Sequence, residues 1–262
     1  MTPPSIARTF AERNAKGQVT LIPYVTAGYP GRKETLPVMK ALAKAGADIL
    51  ELGIPFSDPL ADGPTIQRSS FAALQGGMTV RGILEDLRRF RETEATPVVL
   101  FSYLNPILRY GVEDFLRDAV EAGAQGLLLT DLPTGADPRL EDAIRASGLD
   151  LIRLLAPTTD AARIPAVARE GSGFLYYISR TGVTGARTSL REELAAEVAA
   201  VRERVDLPVA VGFGISSPEQ AAEVGGIAEG VVVGSAVIQA LDEGGTARAA
   251  DFVASLRRAL DR

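Results

Sequence analysis

GVVVGSAVIQAL, residues 230–241, decides the fold. Val231–Val233 are β-branched and apolar on both faces, as a parallel strand buried on both sides requires. Gly234-Ser235 then opens the apolar turn AVIQAL, which predicts a short helix beginning where the strand stops. GLLLT, residues 126–130, repeats the doubly apolar run. Working outward, strands are expected at Thr20–Val25, Asp48–Leu52, Pro97–Tyr103, Gly126–Thr130, Asp150–Leu155, Gly173–Ser179, Pro208–Phe213 and Gly230–Val233. Helix-period patterns fill the gaps: Glu34–Ala45, Val80–Glu92, Val112–Ala122, Pro138–Ser147, Ala161–Glu170, Leu190–Val205, Pro218–Val224 and Ala247–Leu260. Eight such units in a 262-residue chain match a (β/α)8 TIM barrel. An open doubly wound sheet gives the same alternation, but eight repeats without a long linker favour closure. Ser5–Lys16 reads as an extra N-terminal helix under the barrel, and residues 1–262 as one domain.

Composition narrows the chemistry. The chain has no histidine and no cysteine, so imidazole bases, thiolate nucleophiles and disulfides are excluded. Lysine occurs only at positions 16, 33, 40 and 44, all in helix or loop patterns with polar neighbours. A Schiff-base lysine needs a desolvated setting, which none of these offers. Proton transfer then falls to Asp, Glu or Tyr. The net charge of −5 with dispersed Lys and Arg argues against nucleic acid or anionic membrane partners. No apolar run spans a bilayer and no signal-type h-region opens the chain, so a cytoplasmic protein is expected.

In a closed barrel the strand C-termini and βα loops carry function. Strand two ends in Glu51, opening ELGIPFSDPLADGPTIQ (51–67), which also holds Asp58 and Asp62. Each carboxylate has a structural alternative: Glu51 as a satisfied buried acid, Asp58 and Asp62 as turn formers. Strand three ends in Tyr103-Leu104-Asn105, and strand six holds Tyr176; both tyrosines are by default barrel lining. Three glycine loops follow strands six, seven and eight and include Gly185, Gly214 and Gly234-Ser235. Their amides and the helix N-terminus suit a substrate phosphate. Tight turns and a serine N-cap explain any one of them equally well, but three adjacent glycine loops together favour phosphate binding.

Taken together these residues resemble the tryptophan synthase alpha subunit family. The resemblance runs from IPYVTAGYP (22–30) through residues 51–67, TDLP (130–133), LLAPTT (154–159) and SRTGVTGAR (179–187) to VGFGISSPEQ (211–220) and VVVGSAV (231–237). It implies a TIM barrel that splits indole-3-glycerol phosphate into indole and glyceraldehyde 3-phosphate without a cofactor. It assigns catalysis to Glu51 and Asp62. Substrate contacts fall on Tyr103, Tyr176, Thr184, Gly185, Phe213, Gly214, Gly234 and Ser235, and loop closure on Arg180 and Thr184. No metal is implied. A pyridoxal-phosphate beta subunit is the implied partner, usually in an α2β2 complex, meeting Pro55, Asp58, Pro59 and Asn105. The rivals are another phosphosugar barrel, a regulatory subunit without catalysis, and a free-standing indole-releasing lyase. In the family reaction Glu51 is expected to shuttle protons from a buried, raised-pKa position, while Asp62, in a wetter loop, stays ionised.

Overall fold

β1 (Thr20–Thr26), β2 (Leu50–Gly53), β3 (Val98–Ser102), β4 (Gly126–Leu129), β5 (Asp150–Leu155), β6 (Leu175–Ile178), β7 (Val209–Gly212) and β8 (Gly230–Val233) pair in parallel, each with its sequence neighbour. Pairing of β1 with β8, from Thr20↔Gly230 to Pro23↔Val233, closes the barrel and removes every sheet edge. The open-sheet alternative is therefore excluded. The computed structural model describes residues 3–179, 188–212 and 214–261, with the side chains of 188–191 outside that set.

Period two along each strand sets what fills the interior. Ile22, Ile49, Val99, Leu128, Ile152, Phe174, Ala210 and Val232 point inward and pack as one cluster. Two residues further along β1, β2, β5 and β6, the inward positions are Tyr24, Glu51, Leu154 and Tyr176. Sheet registry brings Tyr24 level with Glu51. The lower layer is a packed floor, and the upper layer lines a cavity.

Helix α1 (Ile6–Asn14) seals that floor, as the sequence suggests. Ser5 caps it by accepting a hydrogen bond from the Arg8 amide. Ile6 and Phe10 are buried, with the Phe10 and Phe174 rings 5.5 Å apart. Glycine at the strand starts makes the room. A Cβ on Gly126 would lie 3.0 Å from Ile6, and one on Gly230 would lie 3.0 Å from Phe10. Arg13 and Arg257 both pair with Asp48, fixing α1 and the C-terminal helix to the foot of β2.

Around the barrel lie α2 (Thr35–Lys44), α3 (Pro64–Gln75), α4 (Val80–Arg91), α5 (Leu104–Tyr110), α6 (Val112–Ala122), α7 (Pro138–Ser147), α8 (Ile164–Arg169), α9 (Thr188–Arg202), α10 (Pro218–Gly225) and α11 (Ser235–Leu260). Two of these, α3 and α5, are additions to the expected set. The short helix expected after strand eight is the first part of α11. Gly244 and Gly245 leave helical geometry there, with Gly245 at φ +65°, and kink the helix before it returns along the barrel wall. Among the described residues no helix is long and apolar enough to cross a membrane.

Candidate active site

The upper layer opens into a cavity of about 490 Å³ at the C-terminal ends of the strands. Glu51 and Asp62 both line it, Glu51 from the rigid β2 and Asp62 from the loop before α3. The apolar walls include Ile66, Phe101, Leu154, Ile178 and Val232. Tyr176 lines it too, as the sequence anticipates. Its hydroxyl fits because position 212 is glycine: a Cβ there would collide with that oxygen. Gly53 clears the same kind of space for the Tyr24 hydroxyl.

Glu51 is 1% exposed, and its Oε1 has no hydrogen-bond partner among the described residues. An ionised carboxylate in such a place is costly. Burial, reinforced by the negative charge of Asp62, pushes the Glu51 pKa up to about 8. Asp62 is also raised, to about 6, by burial, while a hydrogen bond from Tyr103 pulls it back down. The wetter setting expected for Asp62 is thus drier than the sequence suggests. The loop folds inward because the Tyr103 hydroxyl accepts from the Ala61 amide at 2.9 Å, and the Gln67 side chain donates to the Asp62 carbonyl at 2.9 Å. Even so, near neutral pH the two acids separate into one protonated group and one carboxylate.

Gly214, Gly234 and Ser235 line the same cavity from the ends of β7 and β8. Gly214 sits at φ +76°, which other residues adopt only with strain. Helix α11 starts at Ser235 without a side-chain cap, so its first amides face the cavity with the positive end of the helix dipole. Ser216 has partners of its own: its amide and hydroxyl both donate to the Gln220 side chain, beside Ser217, which caps α10 by accepting from the Gln220 amide. A carboxylate pair and an anion cradle in one cavity suit a phosphate ester.

Tyr103, expected as a substrate contact, stands behind Asp62 and carries its loop. Arg180, Thr184, Gly185 and Phe213 lie outside the described residues. Pro55 and Asn105 border a separate groove of about 560 Å³, together with Arg109 and Tyr110. Asp58 is exposed beside it, accepting from Ser57 at 2.5 Å, whereas Pro59 is buried and shapes the turn through its carbonyl, which accepts from the Asp62 amide at 3.0 Å. The sequence reading missed two exposed leucines, Leu60, 91% exposed, in the loop after Asp58, and Leu108, 55% exposed, in α5. It also missed Tyr24 and Gln67. Tyr24 was legible in principle, because it is the next inward position after Ile22.

The tryptophan synthase alpha chain family model matches residues 10–259. The chain is 53% identical over 234 residues to the tryptophan synthase alpha chain of Citrifermentans bemidjiense, covering 89% of this chain and 88% of that one. It is 48% identical over 259 residues to the alpha chain of Geobacter sulfurreducens, covering 97% and 98%. Among solved structures it superposes on the tryptophan synthase subunit alpha of Legionella pneumophila with a TM-score of 0.90, at 39% identity and 98% coverage of both chains.

Proposed function

The chain belongs to the tryptophan synthase alpha chain family, and from that premise we propose that Glu51 and Asp62 divide the work of its reaction. The chain is a carbon–carbon lyase of tryptophan biosynthesis, cleaving indole-3-glycerol phosphate to indole and glyceraldehyde 3-phosphate. One observation carries the assignment of roles. A buried carboxyl on a strand, its Oε1 without a hydrogen-bond partner among the described residues, shares a cavity with a second carboxyl on a loop, and burial supports Glu51 as the weaker acid.

A neutral indole ring is a poor electron sink, so the bond between ring carbon C3 and the glycerol carbon does not break unaided. Protonated Glu51 delivers its proton to C3. The positive charge that develops at the ring nitrogen is stabilised by the Asp62 carboxylate, which accepts the N1–H hydrogen bond. Glu51, now a carboxylate, takes the proton of the glycerol hydroxyl. The carbonyl of the aldehyde forms, the bonding pair returns to the ring, and indole leaves with Glu51 protonated again. Burial serves both steps, because it makes Glu51 a usable acid near neutral pH and a strong base once ionised.

The substrate phosphate is placed on Gly234, Ser235 and Gly214, whose amides neutralise it without lysine. Binding energy spent there positions the distant reacting carbon. Tyr176 and the apolar walls flank the indole. Tyr103 serves as the holder of Asp62. Thr184, Gly185, Phe213 and Arg180 keep the substrate and loop-closure roles that the family resemblance gives them.

Family membership implies a beta-subunit partner. We assign its contact to the β2–α3 loop with Asp58 and Leu60 and to α5 with Asn105 and Leu108, with Pro55 and Pro59 shaping the loop, in an α2β2 assembly in the cytoplasm. Large apolar side chains left exposed, as Leu60 and Leu108 are, suit a docking face. The test is indole release from indole-3-glycerol phosphate by the purified chain, alone and with a tryptophan synthase beta subunit. Glu51→Gln and Asp62→Asn should each cut kcat by on the order of 10²-fold or more while leaving the fold intact. Turnover near the wild-type rate in Glu51→Gln would defeat the proton-shuttle role.

A further inference from the structure

A line of buried hydroxyls runs from the cavity wall into the helix that follows Asp62. The Tyr24 hydroxyl lies 3.2 Å from Thr26 Oγ1, and Thr26 Oγ1 lies 2.6 Å from Ser69 Oγ. Ser69 Oγ in turn donates to the Ile66 carbonyl at 2.9 Å. All three side chains are 5% exposed or less. With Ser69 donating to Ile66, the line runs as donations from Tyr24 to Thr26 and from Thr26 to Ser69, although in both hydroxyl pairs either oxygen can be the donor.

Both ends of this line touch the site. Tyr24 stands level with Glu51 across the β1–β2 pairing, and its ring lines the cavity. Ile66 and Ser69 belong to the start of α3, whose N-cap Gly63 directly follows Asp62. Gly63 offers no side-chain cap, and the loop before it is held by Tyr103 and by Gln67 of α3. The hydroxyl line ties the strand that flanks Glu51 to the helix that begins after Asp62.

We propose that Tyr24, Thr26 and Ser69 are positioning residues that set the separation of Asp62 from Glu51. This rests on the roles given to those two carboxylates above. Displacing one reacting group by about 1 Å can cost on the order of 10²-fold in rate, and a loosened tether gives part of that loss. The anion cradle is backbone at Gly214, Gly234 and Ser235, and the Tyr24 Cβ that lies beside Gly234 is kept in Tyr24→Phe, so phosphate binding stays as it is. The signature is therefore a fall in kcat without a rise in KM.

The experiment compares Tyr24→Phe, Thr26→Val, Thr26→Ser and Ser69→Ala with Glu51→Gln and Asp62→Asn as references, using indole-3-glycerol phosphate at a temperature where circular dichroism shows each variant folded. Tyr24→Phe, Thr26→Val and Ser69→Ala are expected to lower kcat by roughly tenfold with KM within about twofold, and Thr26→Ser to restore it. Tyr24→Phe removes one oxygen and no packing, so it decides the matter if Thr26→Val does not fold. Three results would overturn the proposal: kcat within about twofold of wild type in Tyr24→Phe while Glu51→Gln and Asp62→Asn are inactive, a loss confined to KM, or a kcat loss that Thr26→Ser does not repair. Active Glu51→Gln and Asp62→Asn enzymes would instead remove the roles on which the proposal stands.

Discussion

Glu51 should make the protein less stable as the pH rises, and Glu51→Gln should abolish that loss. The unfolded chain ionises Glu51 near its ordinary value of 4.5, while the folded chain holds the proton up to about 8. Between those values the native state binds one more proton than the unfolded state, so this residue's contribution falls with pH. The slope is about 1.4 kcal/mol per pH unit, and it flattens above the folded pKa. At pH 7 the accumulated cost is about 3 kcal/mol. Glutamine keeps the shape and cannot ionise. Its buried amide carries a cost of its own, about 1–3 kcal/mol for an unsatisfied group, but that cost does not change with pH. Following the difference between variant and wild type across pH therefore cancels it. Urea unfolding of both proteins at intervals between about pH 5 and pH 9 should show Glu51→Gln gaining on wild type by about 4 kcal/mol, with a plateau that reads the folded pKa directly. Parallel stability curves for the two proteins would refute the reasoning, because Glu51 would then titrate alike folded and unfolded.

The same two acids shape the rate. A profile of kcat/KM against pH should be a bell: it falls on the acid side as Asp62 takes up a proton near about 6, and on the alkaline side as Glu51 loses one near about 8; activity that keeps rising through alkaline pH would reverse the Glu51 assignment. Gly234 has room for a side chain, since a Cβ there would meet nothing closer than Tyr24 at 3.7 Å, so Gly234→Val should fold normally yet raise KM by roughly tenfold or more through the blocked anion cradle; an unchanged KM would place the phosphate elsewhere. Phe10→Ala should cost about 3–5 kcal/mol in urea unfolding with little change in kcat, since it empties the floor and not the site; a loss under about 1 kcal/mol would mean that α1 does not seal the barrel.

The strands were legible because β-branched apolar runs between helix patterns admit few alternatives. Their ends were less so. Asp48 was expected to start β2, but Arg13 and Arg257 claim its carboxylate and the strand begins at Leu50. Gly173 was expected within β6, yet it turns at φ +75° and pairing starts at Leu175. Helix α3 escaped notice because Ser69, Ser70 and Ala73 make a narrow buried stripe with little apolar bulk, although Pro64 marked its first turn. Helix α5 is one short stretch closed by Gly111 at φ +98°, with Pro106 in its first turn. Within the site, Glu51 stood out because an acid after an apolar strand has few excuses. Tyr103 did not reveal its part, because a bond to Ala61 depends on how the loop after β2 folds over the end of β3, a long-range contact that local pattern does not encode. The Tyr24, Thr26 and Ser69 line was hidden for the same reason.

The floor built by Ile6 and Phe10 gives the molecule a direction of traffic. With the lower layer packed solid, the barrel is a cup and not a conduit, and indole and the aldehyde depart by the end through which their parent entered. Release is then a matter of queueing at one doorway. A beta subunit seated on the proposed docking face would stand at that doorway and could receive indole there, without any passage drilled through the barrel itself.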